Sequence, residues 1–241
     1  LPHVSNFTDF DPFESEPDVN LRYLRPGEPI GETDVLILPG TKSTVDDLAY
    51  LRATGIEKHL ISLAKSRRAT VIGICGGYQM LGKKLLDPQA VESLAEETAG
   101  VGLLDVETTF LPEKKLCQAE GVHIDSKLGV RGYEIHMGVT ERGTESRPVF
   151  RIVHRRGGSG EWPPDDGAVA RDGSVWGTYL HGVFDDDLFR RHFIDSIRIR
   201  KGLKPLGNVA SRYDTDAQYD KLASLLRANL DVEGIYRVLE Y

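Results

Sequence analysis

Apolar side chains in the first third of the chain follow two patterns, one typical of buried strands and one typical of a helix. Residues 34–38 and 70–74 are short continuous apolar runs rich in β-branched side chains, which is typical of strands buried on both faces of a parallel sheet. Between these runs, apolar residues recur near helical spacing over residues 45–66, with an interruption at Gly55. We therefore predict a strand, a broken helix and a second strand that is parallel to the first.

The middle of the chain has a different pattern. Residues 103–110, 130–139 and 149–153 have extended character and are separated by turn residues, which predicts an antiparallel or mixed region of sheet. Residues 155–166 are rich in Gly and Pro. We expect this last segment to be a disordered loop.

The last third is predicted to be mainly helical. A strand is predicted over residues 174–179, and apolar side chains then form one helical face within residues 188–197. Two further helices are predicted near residues 216–229 and 231–239. Because no repeat or linker divides the sequence, we expect residues 1–241 to form one domain.

The composition is that of an ordinary globular protein and narrows the possible functions. The chain has 241 residues, 40% of them hydrophobic, and its 30 basic and 37 acidic side chains give a net charge of −7. This acidic balance disfavours nucleic acid as a partner, and no apolar run is long enough to span a membrane. We expect a cytoplasmic protein without nucleic-acid or membrane partners. Because the sequence opens at Leu1 rather than Met, we also expect a further segment before it.

Cys75 is the first candidate for chemistry. It follows the apolar run 70–74 and is followed directly by Gly76, Gly77 and an apolar helical stretch. A thiol placed between a strand and a helix N-terminus has a lowered pKa, and the next backbone N–H can stabilise an oxyanion. The alternative interpretation is a small buried hydrophobic residue, as for most single cysteines. The chain has only one other cysteine, Cys117, so a disulfide framework is excluded.

A cysteine nucleophile needs a base, and His181 is the best candidate. It lies at the end of the strand predicted over residues 174–179. The ends of parallel strands meet at one edge of the sheet, where open α/β folds bind ligands. We therefore expect His181 to lie near Cys75.

Several segments, taken together, resemble the class I glutamine amidotransferase domains. They are Ser5-Asn-Phe-Thr-Asp-Phe-Asp-Pro, Leu38-Pro-Gly-Thr-Lys-Ser-Thr, Gly73-Ile-Cys-Gly-Gly-Tyr-Gln-Met-Leu-Gly, Gly132-Tyr-Glu-Ile-His-Met-Gly and Gly177-Thr-Tyr-Leu-His-Gly-Val-Phe. Within this class the sequence is similar to the branch that contains the glutaminase domain of cobyric acid synthases. The resemblance implies a flavodoxin-like three-layer α/β fold, with a mostly parallel central sheet and an added antiparallel portion.

The resemblance also implies roles for individual residues. Cys75 would attack the side-chain amide of glutamine, and His181 would move the proton. Gly40 and Gly76 would supply the N–H groups of the oxyanion hole. Gln79 would help to hold the substrate glutamine.

One position departs from the common pattern of the class. The usual third catalytic residue is a Glu two positions after the His, and here that position is Val183. This departure fits a Cys-His dyad and leaves the group that orients His181 unidentified. The acids at 185–187 are close in sequence but are expected to begin the next helix. Glu134 is a second candidate.

Residues 132–138 alternate as a strand does, which places Glu134 and His136 on one face and Tyr133 on the other. Tyr133, Glu134 and His136 are candidate substrate-binding residues. The Glu134 and His136 pair could equally be a hydrogen-bonded pair at the rim of the sheet. Because no third ligand lies at a convincing spacing, we expect no metal site.

The resemblance finally implies partners outside this sequence. It implies an N-terminal synthetase domain that uses ATP and Mg²⁺ to amidate a corrinoid acceptor, cobyrinic acid a,c-diamide, while this domain binds glutamine and carries no cofactor. Three alternatives stay open. One is a glutaminase that serves another acceptor, in cobyrinic acid a,c-diamide synthesis or cell-wall lipid amidation. The second is a noncatalytic docking module, and the third is a Cys-His peptidase or hydrolase on a related fold.

Overall fold

The computed structural model describes residues 1–157 and 163–239. The strands within these residues are β1 (Val35–Leu38), β2 (Thr70–Ile74), β3 (Lys84–Leu86), β4 (Glu97–Ala99), β5 (Val106–His123), β6 (Gly129–Arg142), β7 (Ser146–Arg147), β8 (Phe150–Arg156), β9 (Asp165–Asp166), β10 (Ala168–Ala170), β11 (Val175–Thr178) and β12 (Leu180–His181). The helices there are α1 (Asp11–Glu14), α2 (Thr44–Ala53), α3 (Ile56–Ser66), α4 (Gly76–Leu81), α5 (Asp187–Arg200), α6 (Thr215–Asn229) and α7 (Val232–Leu239), and a 3₁₀ helix covers Phe7–Phe10. These elements confirm the predicted α/β fold class.

The first sheet contains the predicted strand, helix, strand unit. Within the described residues its strand order is β1-β2-β11-β10-β7, and β2 pairs in parallel with both β1 and β11. The predicted break in the connecting helix is confirmed. Gly55 separates α2 from α3 and has a φ of 78°, a left-handed conformation that favours glycine.

The second sheet is the predicted antiparallel portion, and its strands are longer than the sequence indicated. In the described part of the chain its main path is β12-β6-β5-β3-β4, with β8 paired to β5. Strand β5 continues to His123 because its side chains alternate between the core and solvent, so Cys117 and Ala119 are buried whereas Gln118 and Glu120 are exposed. Because charged residues occupy its exposed face, the apolar pattern of the sequence alone does not reveal the full length of this strand.

The prediction of a loop over residues 155–166 is wrong at both ends of that range. The first two residues finish β8, and Asp165–Asp166 forms β9, which pairs with the start of β8. The buried Asp166 carboxylate accepts hydrogen bonds from the Thr178 hydroxyl and the Tyr179 backbone N–H. These bonds hold the end of the segment against β11. Residues 158–162 lie outside the described residues.

Buried ion pairs fasten the N-terminal segment to α5. Glu16 accepts hydrogen bonds from Arg190 Nε at 2.8 Å and from Arg191 Nη1 at 3.2 Å. Phe13 packs nearby on Phe184, with the ring centroids 4.7 Å apart. These contacts hold the 3₁₀ helix and α1 over the carboxyl end of β11, where the candidate site lies.

The C-terminal helices add little to the core. Helix α7 has no buried residue, and apolar side chains of α6 such as Leu222 and Leu225 are more than half exposed. Among the described residues, no helix combines the length and the apolar character required to cross a lipid bilayer.

Candidate functional site

Cys75 lies in a strained turn between β2 and α4. Its φ of 52° and ψ of −111° are unusual for a residue with a side chain. The left-handed backbone therefore belongs to the cysteine itself rather than to the glycines that follow it. Gly77 serves a different purpose, because a Cβ atom there would collide with the Leu38 carbonyl group. The Cys75 backbone N–H donates to the Thr178 carbonyl at 2.8 Å, which ties the turn to β11.

The two predicted oxyanion residues lie next to Cys75. A Cβ atom on Gly40 would be 3.0 Å from His181 Cε1 and 3.7 Å from Cys75 Cβ. Gly76 is the first residue of α4, and the first N–H groups of a helix have no partner within that helix. A Cβ atom on Gly76 would be 2.6 Å from Thr41 Cγ2, so both glycines allow their neighbours to pack closely around the thiol.

His181 is fully buried and is held by Asp9. Its Nδ1 lies 2.7 Å from Asp9 Oδ2, and Asp9 Oδ1 accepts the Gly182 backbone N–H at 2.9 Å. Burial acts to lower the pKa of His181, but hydrogen bonds to Asp9 and to the Cys75 thiol outweigh it and raise the pKa to about 9. His181 therefore carries a proton close to the nucleophile.

Two further side chains lie against the imidazole ring of His181. Tyr133 stacks on His181 with the ring centroids 5.2 Å apart and an interplanar angle of 18°. Asn6 Nδ2 lies 3.2 Å from both ring nitrogens. Tyr133, one of the three candidates on β6, thus contacts a predicted catalytic residue.

Asp9 was not among the sequence candidates for orienting His181. The acids at 185–187 begin α5, as expected, because the Asp186 side chain accepts hydrogen bonds from two backbone N–H groups of the first helical turn. Asp9 lies in the segment from Ser5 that contributed to the family resemblance. That segment was the available signal, but it does not indicate which side chain faces His181.

Glu134 and His136 lie on the opposite face of β6 from Tyr133. Glu134 is 2% exposed and accepts hydrogen bonds from Arg155 Nη2 at 3.0 Å and Nε at 3.3 Å. His136 stacks on Tyr179 with the ring centroids 3.7 Å apart. Burial lowers the pKa of His136 to about 3. The structure places both side chains in a buried polar cluster rather than beside His181.

Gln79 is 3% exposed and has a fixed amide orientation. Its Nε2 donates to the Met137 carbonyl and to the Tyr179 hydroxyl, both at 3.1 Å. Its Oε1 accepts the Thr44 hydroxyl at 3.1 Å. The side chain therefore presents a carbonyl oxygen toward the start of α2, on the side where Gly76 lies.

Comparisons with known proteins show the family of this chain. Residues 1–189 match the family described as the CobB/CobQ-like glutamine amidotransferase domain. The chain is 46% identical to a cobyric acid synthase from Pelotomaculum thermopropionicum, covering 99% of the chain and 48% of that protein. It is 44% identical to one from Streptococcus sanguinis, with 99% and 47% covered. The chain thus spans about half the length of these curated relatives.

A solved structure supports the fold. The chain resembles a chain in the structure of PurLQS from Thermotoga maritima with a TM-score of 0.55 and 18% identity, over 75% of this chain and 84% of that one. At this identity the likeness concerns the fold alone. The family match covers most of the sequence, and the relatives are similar along nearly all of it. The chain therefore belongs to the CobB/CobQ-like glutamine amidotransferase domain family.

Proposed function

We propose that this domain releases ammonia from glutamine through Cys75 and His181, with Asp9 orienting the histidine. The observation that carries the proposal is the convergence of these three side chains at the carboxyl end of β2 and β11. A buried carboxylate on Nδ1 fixes the tautomer of the imidazole and leaves Nε2 for the thiol. The same arrangement holds the positive charge that a thiolate needs as its partner.

The reaction proceeds in two steps on the enzyme. The Cys75 thiolate attacks the side-chain amide carbon of glutamine, and the resulting oxyanion accepts hydrogen bonds from the N–H groups of Gly40 and Gly76. The C–N bond then breaks as His181 gives its proton to the leaving nitrogen, which departs as ammonia. Water, deprotonated by His181, attacks the γ-glutamyl thioester, so glutamate is released and the thiolate is restored.

The acceptor of the ammonia is the second part of the proposal. Relatives along the full chain are cobyric acid synthases, so we assign the ammonia to ATP-dependent amidation of cobyrinic acid a,c-diamide carboxylates in cobalamin biosynthesis. ATP, Mg²⁺ and the corrinoid would bind to the part of such a protein that lies outside this chain. None of the residues described above is assigned to that activation step.

Intact mass after incubation with 6-diazo-5-oxo-norleucine tests the glutaminase. This glutamine analogue alkylates a nucleophilic cysteine that can bind glutamine, so the wild-type chain should gain one adduct. Cys75→Ala should gain none, whereas Cys117→Ala should be labelled like the wild type and serves as the matched control. His181→Ala should be labelled much more slowly. An unlabelled wild-type chain, or an adduct that persists in Cys75→Ala, would contradict the proposal and favour a noncatalytic docking module.

A further inference from the structure

A series of hydroxyl groups connects Gln79 to the second sheet. Gln79 Nε2 lies 3.1 Å from the hydroxyl oxygen of Tyr179, and that oxygen lies 2.5 Å from Thr140 Oγ1. Thr140 Oγ1 in turn lies 2.6 Å from Thr108 Oγ1. Thr108 and Thr140 are directly opposite each other on β5 and β6, where two threonine hydroxyls can bond across a pair of strands. Three hydroxyl groups thus follow one another behind the Gln79 amide.

The direction of these hydrogen bonds is fixed by a backbone carbonyl group. A carbonyl oxygen only accepts hydrogen bonds, so the Gln79 atom that faces the Met137 carbonyl at 3.1 Å must be the nitrogen Nε2. The second hydrogen of Nε2 is then donated to the Tyr179 hydroxyl, whose own hydrogen is left for Thr140. The Tyr179 hydroxyl therefore accepts from Gln79 and donates away from it.

Packing holds the phenol ring of Tyr179 in one position. The ring stacks on His136 with the centroids 3.7 Å apart, and the ring of Tyr78 meets it edge-on at 5.2 Å. The Tyr179 backbone N–H donates to Asp166 Oδ1 at 3.1 Å. Burial raises the pKa of Tyr179 above its usual value, so the hydroxyl keeps the hydrogen that it donates. Gln79 is thus bonded to a hydroxyl group that is both neutral and fixed in place.

Gln79 and the nucleophile contact the same edge of β6. Cys75 Sγ lies 3.4 Å from the Ile135 carbonyl oxygen, and Gln79 Nε2 lies 3.1 Å from that of Met137. Carbonyl groups two residues apart on a strand point the same way and are spaced by about 7 Å. Among the described residues, β12 pairs with β6 at 133 and 134 alone, so β12 does not cover this edge. The Gln79 amide is therefore held about 7 Å along β6 from the contact that the thiol makes.

The orientation of the Gln79 amide depends on the Tyr179 hydroxyl. With Nε2 bonded to Met137 and Tyr179, Oε1 is directed at the Thr44 hydroxyl at 3.1 Å. Gln79 is 3% exposed, and a buried donor without an acceptor is unfavourable. If the Tyr179 hydroxyl were absent, the amide would turn toward another acceptor and Oε1 would leave its place.

We propose that Tyr179 and Thr140 are positioning residues, which act through Gln79 on the binding of the substrate glutamine. The Tyr179 hydroxyl fixes the Gln79 amide, and Thr140 fixes that hydroxyl by accepting its hydrogen. Neither residue contacts the substrate in this assignment, which rests on the glutaminase proposed above. It gives two residues of the second sheet and of its connection to the first a part in a site whose nucleophile follows a strand of the first sheet.

The test follows alkylation of Cys75 in the full chain by mass spectrometry, with two agents. 6-Diazo-5-oxo-norleucine binds as a glutamine analogue before it reacts, whereas iodoacetamide reports the reactivity of the thiol alone. In Tyr179→Phe, which keeps the ring and its packing, half-saturation by the first agent should need about 3- to 10-fold more reagent, as expected for a lost neutral hydrogen bond. Its maximal rate, and the rate with iodoacetamide, should be unchanged. Tyr219→Phe, at an exposed tyrosine of α6, should behave as the wild type.

Thr140 offers a matched pair of variants. Thr140→Val keeps the shape of the side chain but removes its hydroxyl, and it should raise the half-saturation concentration in the same direction as Tyr179→Phe. Thr140→Ser keeps the hydroxyl and should restore the wild-type value. This pair decides the question even if Tyr179→Phe does not fold.

A double mutant tests whether Tyr179 acts through Gln79. Gln79→Ala alone should raise the half-saturation concentration for the glutamine analogue. Adding Tyr179→Phe to Gln79→Ala should then change nothing further, because the effects of two residues that act through one contact do not add.

Each contrary result has its own meaning. Unchanged half-saturation in Tyr179→Phe, or equal values in Thr140→Val and Thr140→Ser, would overturn the assignment while leaving the glutaminase intact. Equal slowing with both agents would assign the hydroxyl groups to the local fold instead, and additive effects with Gln79→Ala would show that Tyr179 does not act through Gln79. A wild-type chain whose Cys75 is never labelled by the glutamine analogue would overturn the proposed glutaminase and this inference with it.

Discussion

Asp9 and His181 are 172 positions apart in the sequence, and the Asp9 Oδ2 to His181 Nδ1 distance is 2.7 Å. The carboxylate comes from the 3₁₀ helix near the N-terminus, whereas the imidazole is the last residue of β12. The position that carries Glu in the common amidotransferase pattern is a buried valine here, Val183. The structure thus supplies a carboxylate for the imidazole from a different part of the chain.

Replacing Asp9 by Asn should lower the pKa of His181 and slow the reaction. Asn keeps the size of the side chain but removes the negative charge that favours the imidazolium. We expect the pKa of His181, followed by NMR of its ring protons, to fall from about 9 toward 6.5. Glutamine hydrolysis should slow by about 100-fold. Asp11→Asn, on the same segment, is the control; a loss of equal size there would assign the effect to the segment and not to the carboxylate.

Stability should fall as the pH rises through the range in which His181 titrates. Its pKa is about 9 in the folded chain against an ordinary 6.5, so between these values the folded state binds more protons than the unfolded state. The stabilisation is complete below about pH 6.5 and is lost as the pH rises through about 9. Across this range, the free energy of unfolding measured with urea should fall by about 3 kcal/mol more in the wild type than in His181→Gln. Parallel profiles for the two proteins would contradict the assignment.

His136 should produce the opposite dependence in acid. Its pKa is lowered to about 3 from an ordinary 6.5, so in this range the unfolded state binds more protons. The stabilisation is present above about pH 6.5 and is lost as the pH falls toward 3. His136→Gln should lose less stability than the wild type over this range in urea unfolding. His59→Gln, at an exposed position of α3, should follow the wild-type profile, and a wild-type profile in His136→Gln would argue against this explanation.

Two glycines of β6 should respond very differently to alanine. A Cβ atom on Gly132 would collide with the carbonyl oxygen of His181, whereas at Gly129 nothing lies within 4 Å. Gly132→Ala should therefore push β12 away, lower the free energy of unfolding by about 3 kcal/mol or more and remove glutaminase activity. Gly129→Ala should change stability by less than about 1 kcal/mol. Thermal unfolding of both variants tests the contrast, which fails if the two midpoints agree.

The parts of this site that were predicted from sequence are those that depend on local order. Cys75 follows a buried strand and precedes a helix, so its position at the sheet edge could be predicted from neighbouring residues alone. The role of Gln79, one helical turn further on, was implied by the family resemblance. Neither prediction required knowledge of distant packing.

The missed features depend on contacts between distant segments. Asp9 contacts His181 from a segment that Glu16 joins to Arg190 in α5, and no periodic pattern encodes that ion pair. Such residues look like ordinary surface acids in the sequence, because their burial is decided by tertiary structure.

Between β11 and β12 the chain passes from the first sheet to the second over one residue, Tyr179, since β11 ends at Thr178 and β12 begins at Leu180. Cys75 belongs to the first sheet and His181 to the second, so the nucleophile and the base stand on opposite sides of a seam. Any sliding of one sheet over the other changes the separation of the thiol and the imidazole directly. We therefore expect substitutions that change the packing of Tyr179 to alter turnover without contacting glutamine.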